Sequence, residues 1–164
     1  MSLEGTTYHL RPIRPDDVAL YPPFLSKVSA HDLRLRFLAP RRTFSDDSLR
    51  RLTQLDYDRD MAFVALNKPS GKLAGIARFN SDPDHEIAEY AVLVRTDLQG
   101  QGLGWELLRQ LINFARADGV KQIEGLILSE NEKMLTLCRE FGFSVAHYPS
   151  DQSLMLATLD LQPA

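Results

Sequence analysis

Three glycines, Gly100, Gly102 and Gly104, fall within five residues in the stretch LQGQGLGWELL, Leu98 to Leu108. Upstream, Glu86 to Arg95 (EIAEYAVLVR) reads as a strand. Downstream, from Leu103 to Asp118, the residues Leu107, Leu108, Leu111, Ile112 and Ala115 share one helical stripe. A strand entering an amphipathic helix through bare backbone points to an α/β architecture. N–H groups at a helix start have no internal partners, and the dipole is positive there. Stripped of side chains, that backbone can cradle an anion, or it can simply allow a tight turn. No Lys-Ser/Thr follows, so the loop is not a Walker motif. The spacing is not G-x-G-x-x-G, and no βαβ unit of the usual length starts here, which argues against a dinucleotide fold.

The remaining chain alternates in the same way. Tyr8 to Arg14 reads as a strand, and Pro15-Asp16-Asp17 opens a helix. Ala30 to Leu55 holds one or two short helices, with Ser45 as an N-cap before Asp46 and Asp47. Met61 to Asn67 and Leu73 to Asn80 form a hairpin through KPSGK. Val120 to Leu128 is a buried strand, Asn131 to Phe141 a helix closed by Gly142, and Phe143 to Tyr148 and Ser153 to Leu161 a last pair of strands. The order predicts one mixed α/β sheet of about seven strands with a central crossover. Residues 7–162 form the domain, and Met1 to Thr6, which lacks periodicity, is a leader or linker stub.

The chain has 164 residues, 44% hydrophobic and 25% charged, enough for one domain with its own core. A net charge of −3 disfavours nucleic acid as a partner. Cys138 is the single cysteine, so no internal disulfide forms and a reducing cytoplasm is expected. No apolar run spans a membrane. His9, His31, His85 and His147 lack metal-ligand spacing, so no metal is expected.

In this context Gln99-x-x-Gly102-x-Gly104 resembles the acyl-CoA loop of the GNAT superfamily of N-acetyltransferases. The resemblance continues through Asn131-Glu-Lys-Met134-Leu135 and Phe141-Gly142-Phe143. LRPIRPDD, LRLRF and LTQLDYDRDMAFVAL further resemble the acetyltransferase domain of bacterial protein lysine acetyltransferases that modify acyl-CoA synthetases. In those enzymes a large synthetase-like region commonly precedes this domain. The chain is then a stand-alone relative or a part of a larger chain.

The resemblance implies a GNAT fold with strands four and five splayed and helices on both faces. It implies acetyl-CoA as co-substrate and a primary amine as acceptor, most readily a protein lysine. Val92, Leu93 and Val94 would pair with the pantetheine arm, as in strand addition. The pyrophosphate would rest on Gln99, Gly100, Gln101, Gly102, Leu103, Gly104 and Trp105, and Asn131 would bond the arm. Asn131 is equally suited to a plain helix N-cap. Glu89 matches the family's general base, with Glu86 second; a solvated strand charge is the ordinary fate of either. A small-molecule amine acceptor and a non-catalytic acyl-CoA-sensing module are the alternatives.

The chain departs from the family where a helix tyrosine often protonates the leaving thiolate. That position is Cys138, on the stripe Met134, Leu137, Cys138, Phe141, and it reads as a small core residue. Asp56, Asp58, Asp60 and Asp84 could join Glu89 in an acidic acceptor mouth. Arg34, Arg36, Arg41 and Arg42 form a basic cluster nearby, of the kind that is usually solvated.

Overall fold

The computed structural model describes residues 2–3, 5–38, 44–56 and 58–162. Its strands are β1 (Ser2–Leu3), β2 (Thr6–Pro12), β3 (Asp60–Asn67), β4 (Leu73–Ser81), β5 (Ile87–Val94), β6 (Gln122–Leu128), β7 (Ser144–Tyr148) and β8 (Asp151–Asp160). Among the described residues they form one sheet in the order β1-β2-β3-β4-β5-β6-β8-β7. The sheet is therefore one strand wider than expected. Ser2 and Leu3 pair with Thr7 and Thr6. Two residues are too few to show the alternation that marks a strand. The fourth predicted strand is thus β5.

All neighbouring strands are antiparallel except β5 and β6, which run parallel. The connection between them is α4 (Leu103–Ala117). This corrects the expectation that no βαβ unit starts at the glycines; the distinction from a dinucleotide fold rests on the glycine spacing.

Each face of the sheet carries its own core. On one face α4 buries Leu103, Leu107, Leu108, Leu111, Ile112 and Ala115 against Phe63, Ala77, Phe79, Tyr90 and Val94. The stripe read from the sequence is the buried one. The helix α5 (Glu132–Glu140) adds Leu135 and Cys138 to this core. On the other face Ile76, Leu93, Ala62 and Val64 meet α1 (Tyr21–Leu25), α2 (Ala30–Phe37) and α3 (Asp46–Thr53).

The Pro15 segment does not run as one α-helix. It forms a 3-10 turn, Pro15–Leu20, before α1. Pro22 and Pro23 supply no N–H to a continuous ladder. The turn is tied down by Asp17, which accepts from Arg11 Nη1 and Nη2 at 2.7 and 2.6 Å and from Arg14 N at 2.7 Å. Ser29 and Ser45 cap α2 and α3 by accepting from Asp32 N and Ser48 N, each at 3.1 Å.

Candidate active site

The parallel pairing of β5 with β6 is short: Ile87–Gln122, Ala88–Ile123 and Glu89–Glu124. Beyond it the strands part. The next residues in register are Tyr90 and Gly125, and they explain the parting. A Cβ on Gly125 would lie 2.5 Å from Tyr90 Cε1, so the ring occupies the space of a β6 side chain. Phe143 packs on its other side, with ring centroids 5.6 Å apart. The phenol reaches Cys138 Sγ at 2.8 Å. Burial, reinforced by Cys138, pushes the Tyr90 hydroxyl well above its ordinary range. Burial likewise pushes the Cys138 thiol up. Both stay protonated near neutrality, and the pair is a fixed wedge.

The wedge opens a cleft of about 800 Å³. One wall is the edge of β5 from Glu89 to Val94, whose pairing with β4 is complete from Gly75–Val94 to Ser81–Ala88. Backbone groups on its other edge therefore face the gap, ready for an extended partner. The far wall holds Gly125, Leu126, Ile127, Asn131 and Met134.

The glycine loop closes one end. Gly100 and Gly102 have φ of +82° and +92°, a region that disfavours other residues, and Gly102 is the N-cap of α4. The first helical N–H with an internal acceptor is that of Glu106, on Gly102 O at 3.0 Å. Those of Leu103, Gly104 and Trp105 precede it and emerge at the helix start, an anion-binding arrangement. Gln99 locks the loop: its Nε2 donates to Asp32 Oδ2 at 2.9 Å and to Val94 O at 3.3 Å. Thr96 Oγ1 donates to the same carboxylate oxygen at 2.6 Å. Asp32 of α2 thus bolts the loop to the opposite face of the sheet. Trp105 stacks on Phe141 at 5.1 Å and is 40% exposed, on the cleft rim.

The other end is acidic. Glu89 lines the cleft at the point where the strands divide, with Glu124 beside it in register. Asn80, opposite Glu89 on β4, hydrogen-bonds Asp60. Glu86 is elsewhere. It precedes β5, its carboxylate lies 3.4 Å from Lys121 Nζ, and it does not line the cleft.

Of the other sequence candidates, Val92, Leu93, Val94, Gln99, Gly100, Gly102, Gly104, Trp105 and Asn131 line the cleft. Gln101 does not, and the Leu103 side chain is core. Asn131 caps α5, accepting from Met134 N at 3.2 Å. Asp56 and Asp58 share a turn in which Asp58 N donates to Asp56 Oδ1 at 3.1 Å, and Asp56 also pairs with Arg59. Arg34 forms an ion pair with Glu130, joining α2 to the segment before Asn131, and Arg36 lines the cleft. Arg41 and Arg42 lie outside the described residues. Sequence reasoning missed the Tyr90–Cys138 wedge, Glu124 and the Asp32 bolt, all products of strand register or tertiary contact. Among the described residues no His, Cys, Asp or Glu cluster could hold a metal, and no helix is long and apolar enough to cross a membrane.

A strand edge left open beside a helix N-terminus suits a ligand with an extended amide chain and an anionic end. Comparison with known proteins agrees: residues 30–143 match the model of the acetyltransferase (GNAT) family, and the chain belongs to that family. It is 32% identical to acetyltransferase PA5475 of Pseudomonas aeruginosa over 96% of this chain and 86% of that one. It is 27% identical to acetyltransferase Pat of Mycolicibacterium smegmatis over 97% of its length, spanning about half (47%) of Pat. The GNAT domain of S. lividans PAT superposes with a TM-score of 0.89 at 24% identity, over 98% of this chain and 94% of that one. The protein is an acetyltransferase that uses acetyl-CoA as co-substrate to acetylate amines.

Proposed function

We propose that the acceptor is the side chain of a protein lysine and that Glu89 receives its proton. The observation that carries this reading is the position of Glu89 in the cleft at the fork of β5 and β6; on this reading a thioester laid along β5 meets the acceptor there. A lysine amine has an unperturbed pKa of about 10.4, so near pH 7 the neutral nucleophile is scarce by about 4–5 kcal/mol. A carboxylate that takes the proton, directly or through water, is typically worth about 10² to 10⁴ in rate. In the transfer the amine nitrogen bonds to the thioester carbon and the carbon–sulfur bond breaks. The ammonium gives its first proton to Glu89; the second, shed as the amide forms, passes through water to the thiolate, which leaves with the bonding pair. Thiols of this kind, with pKa of about 8.5 on the cysteine scale, are fair leaving groups near neutrality. A dedicated acid is then dispensable, in keeping with a buried, neutral Cys138 at the family's tyrosine position.

On this reading the N–H groups between Gly100 and Trp105 hold the pyrophosphate, and backbone groups of Val92, Leu93 and Val94 pair with the pantetheine arm. An N–H near Val92 polarises the carbonyl. The lysine acceptor rests on the resemblance of LRPIRPDD, LRLRF and LTQLDYDRDMAFVAL to the acetyltransferase domain of bacterial protein lysine acetyltransferases, and the proposal includes an acyl-CoA synthetase as protein substrate and the cytoplasm as setting. The second reading is a small-molecule amine that reaches the same end of the cleft. The test is release of free thiol from acetyl-CoA with a panel of acyl-CoA synthetases and small amines. Acetylation of a synthetase lysine supports the first reading and acetylation of small amines alone the second. Binding of acetyl-CoA without transfer to any amine leaves an acyl-CoA-sensing module.

A further inference from the structure

Two donors on the acceptor face have no acceptor. Tyr21 Oη and Arg78 Nη1 are buried and make no hydrogen bond. Tyr21 is 3% exposed. None of the ion pairs among the described residues includes Arg78. Buried polar groups are nearly always matched, and a guanidinium cannot escape the cost by losing its proton. One unmatched guanidinium nitrogen of a half-buried arginine, beside an unmatched hydroxyl, is half of a recognition site.

The two donors share one location. The helix α1 packs on β4, and Tyr21 sits in the same core as Ile76 and Leu93. Burial pushes its hydroxyl up to about 12, against the pull of the neighbouring Arg78 and Arg36 charges, so it is a neutral donor. Neither residue lines the cleft, but their location adjoins it through the β4–β5 register. Arg78 stands opposite Ala91 in register. Ala91 and Arg36 both line the cleft. Glu89, opposite Asn80, is on the same face as Ala91 and diagonal to Arg78. Such diagonal positions are about 7–8 Å apart.

An arginine fork with an added hydroxyl complements a carboxylate. The charges around it select the form in which that carboxylate arrives. Glu89, Glu124 and Asp60 make the adjoining end acidic. They repel a bare anion and suit one that carries its own ammonium group. We propose that Arg78 and Tyr21 form a carboxylate subsite for the acceptor, so that the preferred substrate is an amine with a carboxylate close to it. The inference rests on the transferase reading above. Two sources supply this chemistry: the α-carboxylate of a free amino acid, or an acidic side chain next to a target lysine.

The test compares wild type, Tyr21→Phe and Arg78→Met in thiol release. One acceptor pair is leucine and leucinamide; the other is two peptides whose central lysine is flanked by Asp or by Asn. The carboxylated member of one pair is expected to be favoured about tenfold to a hundredfold in kcat/KM. Each substitution should erase most of that preference through KM and leave acetyl-CoA affinity unchanged. The pair that responds identifies the source. Tyr21→Phe separates binding from folding, because it removes only a hydroxyl without a partner. A structural role predicts an unchanged or raised Tm and an unchanged preference. Absence of preference in both wild-type pairs, or equal loss for both members in the variants, overturns the subsite. If no acceptor reacts although acetyl-CoA binds, the transferase reading fails by itself. Calorimetry with leucine and leucinamide, which keep the ammonium group, then decides the subsite. Binding of the acid alone, abolished in Arg78→Met, keeps it; binding of neither, or of both alike, removes it.

Discussion

On one face of the sheet a fifteen-residue helix, α4, lays six buried residues against the strands. On the other, three helices of five to eight residues cover a core that also holds an ion-paired aspartate and two unmatched donors. The first face ends in the glycine loop, where backbone N–H groups are the available chemistry. The second carries Glu89, Arg78 and Tyr21, the side chains proposed to serve the acceptor. The contrast suggests a division of labour. A cofactor common to many enzymes can be held by backbone on a rigid, periodic scaffold. An acceptor particular to one enzyme needs side chains on shorter elements.

The largest effect should come from the backbone end. Gly102→Val places a β-branched residue at a φ of +92° on the N-cap of α4. Open space surrounds that position apart from Leu3 Cδ2 at 3.9 Å from the added Cβ, so the cost is backbone strain and a blocked helix mouth rather than a core clash. Acetyl-CoA affinity measured by calorimetry should fall by about a hundredfold or more while the fold persists. Unchanged affinity in the folded variant would show that the loop does not hold the cofactor.

Next comes the scaffold of the acceptor end. Burial alone would raise the Asp17 carboxyl, but hydrogen bonds from Arg11 and from Arg14 N–H overcome it and hold the group below its usual range. A depressed folded pKa gives stability that is present above the unfolded pKa of about 3.9 and disappears as pH falls through the folded value. Asp17→Asn should cost about 2–3 kcal/mol near neutrality. In urea titrations the gap from wild type should close in strongly acidic solution; a gap independent of pH would mean that the ion pair contributes nothing.

The wedge predicts a smaller, coupled loss. Cys138→Ala removes the partner of a buried phenol and should cost about 1–3 kcal/mol while retaining most turnover. Adding Tyr90→Phe should cost less than the sum of the single changes, because the orphaned hydroxyl disappears with it. Turnover lost by orders of magnitude, with acetyl-CoA still bound, would make the thiol a participant. The smallest effect is spectroscopic: Trp105, the single tryptophan, lies on the cleft rim, so acetyl-CoA should alter its emission and an unrelated nucleotide should not.

The same contrast governs what the sequence disclosed. The α4 stripe, the caps Ser45 and Asn131 and the crossover order were legible because they are local, set by periodicity and by residues three apart. The glycine loop was legible as the bare-backbone turn that opens α4, because that feature is local. The acceptor end was not. Arg78 reads as an ordinary strand charge until register puts it opposite Ala91. Tyr90 and Cys138 are 48 residues apart, and only the splay unites them. The Ser2–Leu3 strand is too short for any pattern, and proline spacing split the segment after Pro15.

The most direct measurement is the pH profile of kcat/KM for Glu89→Gln, with Glu86→Gln as control, on the best acceptor found. Glu89→Gln should keep acetyl-CoA affinity and lose about 10² to 10⁴ in kcat/KM near pH 7. It should regain part of the loss as pH rises toward the amine pKa of about 10.4, where the nucleophile is already neutral. Glu86→Gln, whose carboxylate faces Lys121 outside the cleft, should behave as wild type. Normal transfer by Glu89→Gln at neutral pH, or a loss confined to Glu86→Gln, would contradict the assignment of the base.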